Sequence, residues 1–280
     1  MLKVVVVGYD KMLSSLVLGA IESGHKVVGV LRCDRYRIPA PLLFFKDIFA
    51  PSIDFSFIKG CNIYDIKAKS VNSNEFKKEF KKLGADIILV GSWGERLDKS
   101  VIDMPELGCV NCHPSLLPQN RGPNPYFWAI YQGKTRTGLT FHLIDENYDT
   151  GKILAQAGIE IGEDMNALEL KNKLCQVAKL MIGPLLSELE GGIVVPVPQD
   201  ENRASYEKAL EAQNFLIDFN RSVKDVKNHI RALLGMQMPY CKIDGFFYKI
   251  KNYSVFEGEL KFKKSRIFDC LDGKLEIEIV

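Results

Sequence analysis

Apolar residues near the start of the chain follow two different spacings. A continuous apolar run at 4–7 is followed by apolar residues three and four positions apart, at Met12, Leu13, Leu16, Val17 and Ala20. The first spacing is typical of a buried strand, and the second places its residues on one face of a helix. A second apolar run at 27–32 follows. Residues 3–32 therefore predict a β-α-β unit.

The same alternation continues through the next 160 residues. A helix is predicted over 73–84, strands over 85–93, 108–115, 139–146 and 152–161, and a long helix over 165–189 that Gly191 and Gly192 end. Because helices alternate with buried strands, we expect an α/β fold with a Rossmann-like, doubly wound, mostly parallel sheet. Ligands of such folds bind beyond the carboxyl ends of the strands.

The pattern changes after residue 195. Residues 196–214 are polar and contain prolines, which is typical of a linker. Residues 215–280 combine one predicted helix at 222–235 with alternating stretches at 240–250, 258–264 and 274–280. We therefore predict a large domain at 1–195, a linker at 196–214 and a small mainly-β module at 215–280. The alternation at 240–250 fits an ordinary core face or the surface of a homodimer.

Composition excludes few classes of protein. The chain has 280 residues, of which 46% are hydrophobic, so it can bury a large core. Its net charge of +2 neither requires nor excludes a nucleic-acid partner, and the basic run 263–266 is predicted to be an exposed turn. The chain has no long apolar run of membrane-spanning length and no secretory pattern at its start. Seven scattered cysteines are typical of reduced thiols, so we expect a cytoplasmic protein without membrane partners.

The segment GCVNCHPS contains Cys-x-x-Cys-His, the pattern that attaches c-type haem. On an extended strand Asn111 and His113 point to one face and Cys112 to the other, which argues against a shared ligand. A zinc site would lack a fourth ligand at any familiar spacing. We therefore expect no haem and no metal, with Cys109 and Cys112 as small buried residues. Dinucleotide binding is also disfavoured, because Gly8 is the only glycine in the first turn.

Polar residues at predicted strand ends indicate a different chemistry. Asn111 and His113 end one strand, and Asp149 lies in the turn NYDTG. Singly, such residues are more often hydrogen-bonding or turn-forming groups. Together, an acid, a histidine and an amide donor meet the requirements of acyl transfer. The chain has no Gly-x-Ser-x-Gly, so we expect the attacking nucleophile to be a substrate.

Three motifs carry a resemblance to a known family. Asn111-x-His113, then SLLPxxRG from Ser115, then Asp149-Thr150-Gly151 occur in this order, with 36 residues from His113 to Asp149. The chain resembles the folate-dependent formyltransferases, which transfer a formyl group from N10-formyltetrahydrofolate to an amine. The resemblance covers about residues 1–195 and continues more loosely into the C-terminal module. It implies a Rossmann-like domain that binds folate without nucleotide-type phosphate contacts.

The resemblance also implies roles for individual residues. His113 and Asp149 would deprotonate the attacking amine, and Asn111 would donate a hydrogen bond to the formyl oxygen as it becomes an oxyanion. The segment 90–97 matches the family's pterin-binding segment, although a core role for its tryptophan is equally compatible. Folate contacts are implied at Trp93, Arg96, Leu97, Leu117, Ile144 and Asp145.

The identity of the amine divides the family into branches that act on methionyl-tRNA or on nucleotide-linked amino sugars. The tRNA enzymes resemble one another in reading RGAAPI, whereas this chain reads RGPNPYFW. The segment 33–47, with Arg35, Arg37 and Lys46, lacks the glycines of their acceptor-stem insertion. The C-terminal module carries 12 basic and 9 acidic residues, a net +3, which is modest for binding a phosphate backbone.

These departures favour a nucleotide-linked amino sugar as the acceptor, with Arg121, Tyr126 and His142 as predicted substrate contacts. A structural role for His142 and a core role for Tyr126 are equally compatible with the pattern. Phe127 and Trp128 are predicted to be core residues rather than stacking surfaces. Methionyl-tRNA remains the alternative acceptor, and other amines such as glycinamide ribonucleotide are also open. A noncatalytic protein that binds folate or a nucleotide is a further alternative.

Overall fold

The computed structural model describes residues 1–32, 60–61 and 63–280. The predicted features at Arg35, Arg37 and Lys46 lie outside the described residues. The helices are α1 (Asp10–Glu22), α2 (Asn74–Leu83), α3 (Lys99–Ile102), α4 (Pro125–Tyr131), α5 (Ala167–Glu190) and α6 (Val223–Leu233). The strands are β1 (Lys3–Gly8), β2 (Lys26–Arg32), β3 (Tyr64–Asp65), β4 (Ile87–Gly91), β5 (Cys109–His113), β6 (Arg136–Leu143), β7 (Ile153–Glu160), β8 (Tyr240–Ile243), β9 (Phe246–Val255), β10 (Ser265–Cys270) and β11 (Gly273–Ile279).

Seven strands form one sheet in the order β3-β2-β1-β4-β5-β6-β7. The neighbours from β3 to β5 pair in parallel, and β5 pairs antiparallel with β6. The predicted α/β fold with a mostly parallel sheet is therefore confirmed. Because β1, β4 and β5 run in the same direction, their carboxyl ends meet at one edge of the sheet. Asn111 and His113 lie at that edge.

The glycine that ends β1 has a packing role. A Cβ atom at Gly8 would lie 2.1 Å from the carbonyl oxygen of Gly91, on the neighbouring strand β4. Any side chain would therefore push the two strands apart. A Cβ atom at Gly91 would in turn lie 2.8 Å from side-chain atoms of Met12 and Leu16, which α1 packs onto the sheet. These close approaches account for Gly8 without any phosphate ligand.

Contacts divide the chain into two compact units. The first comprises Met1–Arg121, Gly138–Ala157 and Lys173–Ser205, and the second comprises Gly122–Thr137, Gly158–Asn172 and Tyr206–Val280. The predicted boundaries at 195 and 215 stay a prediction. Part of the predicted linker belongs to the first unit, where the backbone amide of Arg121 donates to the carbonyl of Ser205 over 2.9 Å.

The second unit contains an antiparallel sheet of four strands in the order β10-β11-β9-β8. This arrangement confirms a small mainly-β C-terminal module. The predicted strand at 258–264 is wrong, because the backbone amides of Lys261 and Phe262 donate to the carboxylate of Glu276 over 2.7 and 2.9 Å rather than to a strand. The strand begins at Ser265, so the expected turn at 263–266 ends at Lys264.

Within the described ranges, no helix is both long and apolar enough to cross a bilayer.

Candidate active site

Pairing of β5 with β6 builds the floor of the candidate site. The register places Asn111 directly opposite His142. The amide nitrogen Nδ2 of Asn111 lies 3.1 Å from Nε2 of His142. Nδ1 of His142 lies 2.8 Å from the carbonyl oxygen of Leu143, and a carbonyl can only accept a hydrogen bond. His142 is buried, so it holds the side chain of Asn111 through this contact and does not face solvent.

The turn after β6 brings a carboxylate to the same place. Asp149 has a positive φ of 57°, and its side chain is 12% exposed. Its Oδ1 accepts a hydrogen bond from Nδ2 of Asn111 at 3.2 Å and lies 3.5 Å from Nδ1 of His113. The same oxygen lies 3.5 Å from Nε2 of His142. The structure therefore gathers the three predicted catalytic side chains around one carboxylate oxygen.

Hydrogen bonding leaves one nitrogen of His113 facing this carboxylate. Nε2 lies 2.9 Å from the carbonyl oxygen of Asn120, so Nε2 carries the proton that is donated. Burial lowers the pKa of His113, while the negative charge of Asp149 and the bond to Asn120 raise it and His142 lowers it. The net shift is downward. His113 is consequently neutral near pH 7, with the lone pair of Nδ1 beside Asp149.

The turn that carries Asp149 depends on Gly151 within it and on Gln199 outside it. A Cβ atom at Gly151 would lie 1.7 Å from the carbonyl oxygen of Leu143, so only glycine fits. The side-chain amide of Gln199 donates to the carbonyl oxygens of Asp149 and Gly151 over 2.9 and 2.8 Å. Sequence reasoning missed Gln199, because it lies in a polar segment without periodicity or a motif.

The SLLP loop is fixed from β6 and β7. The hydroxyl of Thr140 donates to the carbonyl of Ser115 over 2.7 Å and accepts from the backbone amide of Leu117 over 3.2 Å. Gln156 donates to the carbonyl of Leu117 over 2.9 Å. Leu117, a predicted folate contact, is buried in this arrangement, and the Leu117–Pro118 peptide is cis.

Arg121, predicted to contact the acceptor, is engaged within the protein. Its side chain has no exposed surface. The guanidinium donates to Gln199 and forms a bidentate pair with Glu201 at 2.9 and 2.7 Å. Hydrogen bonding to Arg121 lowers the pKa of Glu201. A contact of Arg121 with the acceptor stays a prediction, and it would require these partners to release the guanidinium.

The predicted folate contacts occupy different environments. Leu97 is buried in the cluster of β1, β4 and α2, and Trp93 and Ile144 pack against that cluster. The indole nitrogen of Trp93 is buried and has no hydrogen-bond partner among the described residues. It is therefore a donor that a ligand could use. The carboxylate of Asp145 accepts from the hydroxyl of Thr150 over 2.7 and 2.8 Å, so it braces the turn.

A cavity of about 350 Å³ opens beside Arg96. The guanidinium of Arg96 donates to the carbonyl of Glu146 over 3.3 Å. Residues lining the cavity are Arg96, Leu97, Asp98, Lys99, Glu146 and Asn147. Two of them, Arg96 and Leu97, are predicted folate contacts, whereas the described lining does not include the residues around Asp149. Folate contacts at these positions stay predictions.

The aromatic residues after the SLLP loop lie in the second unit. Tyr126 and Phe127 are buried on α4. Trp128 is half-buried, and its indole nitrogen donates to the carbonyl of Lys208 over 3.0 Å. The ring of Phe127 packs edge-on against Trp128, with centroids 5.0 Å apart. Phe127 is thus a core residue as expected, and Tyr126 presents little surface to a ligand.

The two cysteines of the haem-like pattern point away from each other. The Cys112 sulfur contacts the sulfur of Met12 on α1 at 3.6 Å, and the Cys109 sulfur lies 3.8 Å from the carbonyl oxygen of Val101 on α3. Burial raises the pKa of Cys109 to about 12 and also raises the pKa of Cys112. The thiols do not face a common ligand. In the part of the chain that the structure describes, no group of three or more His, Cys, Asp or Glu side chains is placed to hold a metal.

Comparison with known proteins places the chain in a family. The sequence profile described as "Formyl transferase" matches residues 10–183, well over half of the chain. The chain belongs to the formyl transferase family. Among curated relatives of this chain, a methionyl-tRNA formyltransferase of Caldanaerobacter subterraneus subsp. tengcongensis is 32% identical over 266 residues, covering 91% of this chain and 84% of the relative.

A methionyl-tRNA formyltransferase of Synechococcus sp. (strain JA-2-3B'a(2-13)) is 45% identical over 150 residues, which cover 54% of this chain and 47% of the relative. A second Synechococcus protein of that name, from strain JA-3-3Ab, is 43% identical over the same length. The match therefore spans about half the length of these relatives.

Solved structures share the fold of this chain. The sugar 3N-formyl transferase WlaRD, solved with dTDP and 5-N-formyl-THF, superposes with a TM-score of 0.75 at 17% identity, covering 100% of this chain and 98% of its own. An N-formyltransferase of Helicobacter canadensis, solved with folinic acid and dTDP-3-aminofucose, gives 0.73 at 16% identity, with both chains fully covered. At these identities the likeness establishes the fold alone.

Proposed function

We propose that this protein transfers the formyl group of N10-formyltetrahydrofolate to a primary amine, and that this amine belongs to methionyl-tRNA. The reaction rests on one observation: Asn111 and His113 both lie within 3.5 Å of one carboxylate oxygen of Asp149, at the carboxyl edge of the sheet. A chain of the formyl transferase family that places an amide donor, a neutral imidazole and a carboxylate together has the groups that acyl transfer to an amine needs.

The geometry supports a definite sequence of proton movements. The amine attacks the formyl carbon, and Nδ1 of His113 takes its proton, because Nε2 is committed to the carbonyl of Asn120. Asp149, 3.5 Å away, stabilises the imidazolium that forms. The side-chain amide of Asn111 donates to the oxyanion in place of its hydrogen bond to Asp149, a contact worth about 3 kcal/mol in comparable sites. The intermediate then collapses, N10 leaves with the proton from His113, and tetrahydrofolate and the formylated amine are released.

The proposed acceptor differs from the one that the sequence pattern favoured. Curated relatives that are 31–45% identical are named methionyl-tRNA formyltransferase, and they support this acceptor better than an amino sugar. The sugar-acting neighbours share the fold at 16–17% identity, which carries no argument about the acceptor. Tyr126 and His142, two residues predicted to contact a sugar substrate, are both buried.

A nucleotide-linked amino sugar stays the second candidate. One observation favours it: the segment after the SLLP loop reads RGPNPYFW instead of the sequence that the tRNA enzymes share. Trp128, in that segment, keeps part of its surface exposed. An indole face is a suitable surface for a sugar or a base.

The acceptor can be tested directly with purified protein. N10-formyltetrahydrofolate is supplied with methionyl-tRNA or with nucleotide-linked 3- and 4-amino sugars, and both tetrahydrofolate release and the formylated product are measured. We expect formyl-methionyl-tRNA. Product from an amino sugar alone would replace the proposed acceptor by the second candidate. Folate binding without transfer to any amine would contradict the catalytic function and support a binding protein.

A further inference from the structure

Gln199 forms four hydrogen bonds that join the buried Arg121 to the turn bearing Asp149. Its Oε1 accepts from Nε and Nη2 of Arg121 at 3.1 and 2.8 Å. Its Nε2 donates to the carbonyl oxygens of Asp149 and Gly151 at 2.9 and 2.8 Å. A guanidinium only donates and a carbonyl only accepts, so the amide of Gln199 has one favourable orientation.

The partner that sets this orientation is itself immobilised. Arg121 is fully buried, and the carboxylate of Glu201 holds its guanidinium through a bidentate pair. The backbone amide of Arg121 donates to the carbonyl of Ser205. Bidentate pairing restricts a guanidinium more than a single contact does. The side-chain oxygen of Gln199 is therefore fixed by Arg121, and its side-chain nitrogen binds the turn that carries Asp149.

The turn that Gln199 holds is sensitive to displacement. Asp149 adopts a left-handed conformation with φ of 57°, which is costly for a residue with a side chain. Its carboxylate accepts a hydrogen bond from Nδ2 of Asn111 at 3.2 Å, at the long end of the usual range, and lies 3.5 Å from Nδ1 of His113. A small shift of the turn would separate the carboxylate from both groups.

We propose that Gln199, oriented by Arg121, is a positioning residue that keeps the Asp149 carboxylate beside His113 and Asn111. The proposal rests on the proposed formyl transfer and adds a residue that lies outside the three motifs described above. Gln199 lies 50 positions beyond Asp149 and outside the matched range 10–183.

Two uncharged substitutions test the proposal. Gln199→Met removes all four hydrogen bonds at nearly constant volume, and Gln199→Asn keeps an amide that is too short to span Arg121 and both carbonyls. We expect kcat to fall by about 10- to 100-fold, the effect of misplacing a reacting group by about 1 Å, while KM changes little. Gln213→Met is the matched control, since Gln213 is exposed and its side chain forms one hydrogen bond with the described residues, to Glu211. This control should retain wild-type kcat.

A second measurement separates positioning from a general loss of packing. The charge of Asp149 raises the pKa of His113 against burial, and His142 is the other titratable group facing it. If the turn loosens, the NMR titration midpoint of the His113 imidazole falls in both Gln199 variants and stays unchanged in Gln213→Met. An unchanged midpoint, or a kcat within twofold of wild type in both variants, would overturn the proposal. The titration needs no substrate, so it stands even if formyl transfer is not observed.

Discussion

His113 in the first unit and His229 in the second are both buried, and each donates through Nε2 to a backbone carbonyl. The distances are 2.9 Å to Asn120 and 2.8 Å to Asn214. Burial is the largest influence on each, and the pKa of both is lowered. They differ at Nδ1. In His113 this nitrogen lies 3.5 Å from Asp149, whereas in His229 it has no hydrogen-bond partner among the described residues.

The surroundings of His229 explain this difference. Its ring packs edge-on against Tyr131 and Phe127, with centroids 5.0 and 6.2 Å apart. Such neighbours do little to stabilise an added proton in a buried ring. Burial alone therefore makes a histidine neutral but not a useful proton acceptor. Both neutral rings carry a lone pair on Nδ1, but only His113 has an adjacent carboxylate, that of Asp149, to stabilise the imidazolium.

The largest expected effect is on turnover, from replacing each histidine by glutamine. His113→Gln can still donate to Asn120 from a similar position but has no basic nitrogen beside Asp149, so kcat should fall by about 10²- to 10⁴-fold. His229→Gln should leave kcat close to that of the wild type. Rates of tetrahydrofolate release, with circular dichroism to verify folding, provide the measurement. Equal losses in both variants would remove the distinction between the two sites.

A smaller effect is expected from Asp149→Asn, which makes the environment of His113 more like that of His229. Turnover should fall by about 10²- to 10³-fold, because the imidazolium loses its counter-charge. Asp149 raises the pKa of His113, so its removal lowers that pKa further. The acidic limb of the pH profile of kcat/KM should move to lower pH. A limb that moves to higher pH, or stays in place, would show that another group controls the profile.

The smallest effect is on stability, from His229→Phe. The part-buried carbonyl of Asn214 loses its donor, so the free energy of unfolding at pH 7.5 should fall by about 0.5–1.5 kcal/mol. Urea denaturation measures this change. His229→Gln is the control, since its amide can donate in place of Nε2 and should recover most of the loss.

The same variant shows the pH dependence that burial imposes. His229 has a lowered pKa in the folded state, so below its ordinary value of 6.5 the unfolded chain binds a proton that the folded chain does not. The contribution of His229 to the free energy of unfolding is thus fully present above about pH 6.5 and decreases below it. His229→Phe removes this contribution, so its deficit relative to wild type should be smaller at pH 5.5 than at pH 7.5. A deficit that grows at pH 5.5 would contradict the lowered pKa.

Much of the fold could be predicted because its signals are local. The strands β1 and β4 are continuous apolar runs, and α1 repeats apolar residues at helical spacing. The position of β10 was predicted wrongly for a nonlocal reason. The segment 258–264 alternates like a strand, but two of its backbone amides donate to the carboxylate of Glu276 on β11, and the strand forms only from Ser265 onward.

In the candidate site, too, the features with local sequence signals could be predicted and those that depend on distant segments could not. The two-residue spacing of Asn111 and His113 predicted a shared face, and the resemblance supplied Asp149 as their partner. The contact of Asn111 with His142 depends on the register between β5 and β6, which the sequence does not display. Gln199 depends on a chain segment that folds back after α5, so no local pattern could reveal its bonds to the turn.

The two cysteines of the haem-like pattern are poorly placed to react with oxidants or alkylating reagents. A vinyl group, an alkylating reagent or a peroxide must meet a thiolate that water can reach, whereas Cys109 and Cys112 are shielded by separate helices and stay protonated. Reagents in solution would encounter the exposed Cys61 instead. Oxidative damage to this protein should therefore begin away from the strand that carries Asn111 and His113, and the two sulfurs beside them would react only after that strand has opened.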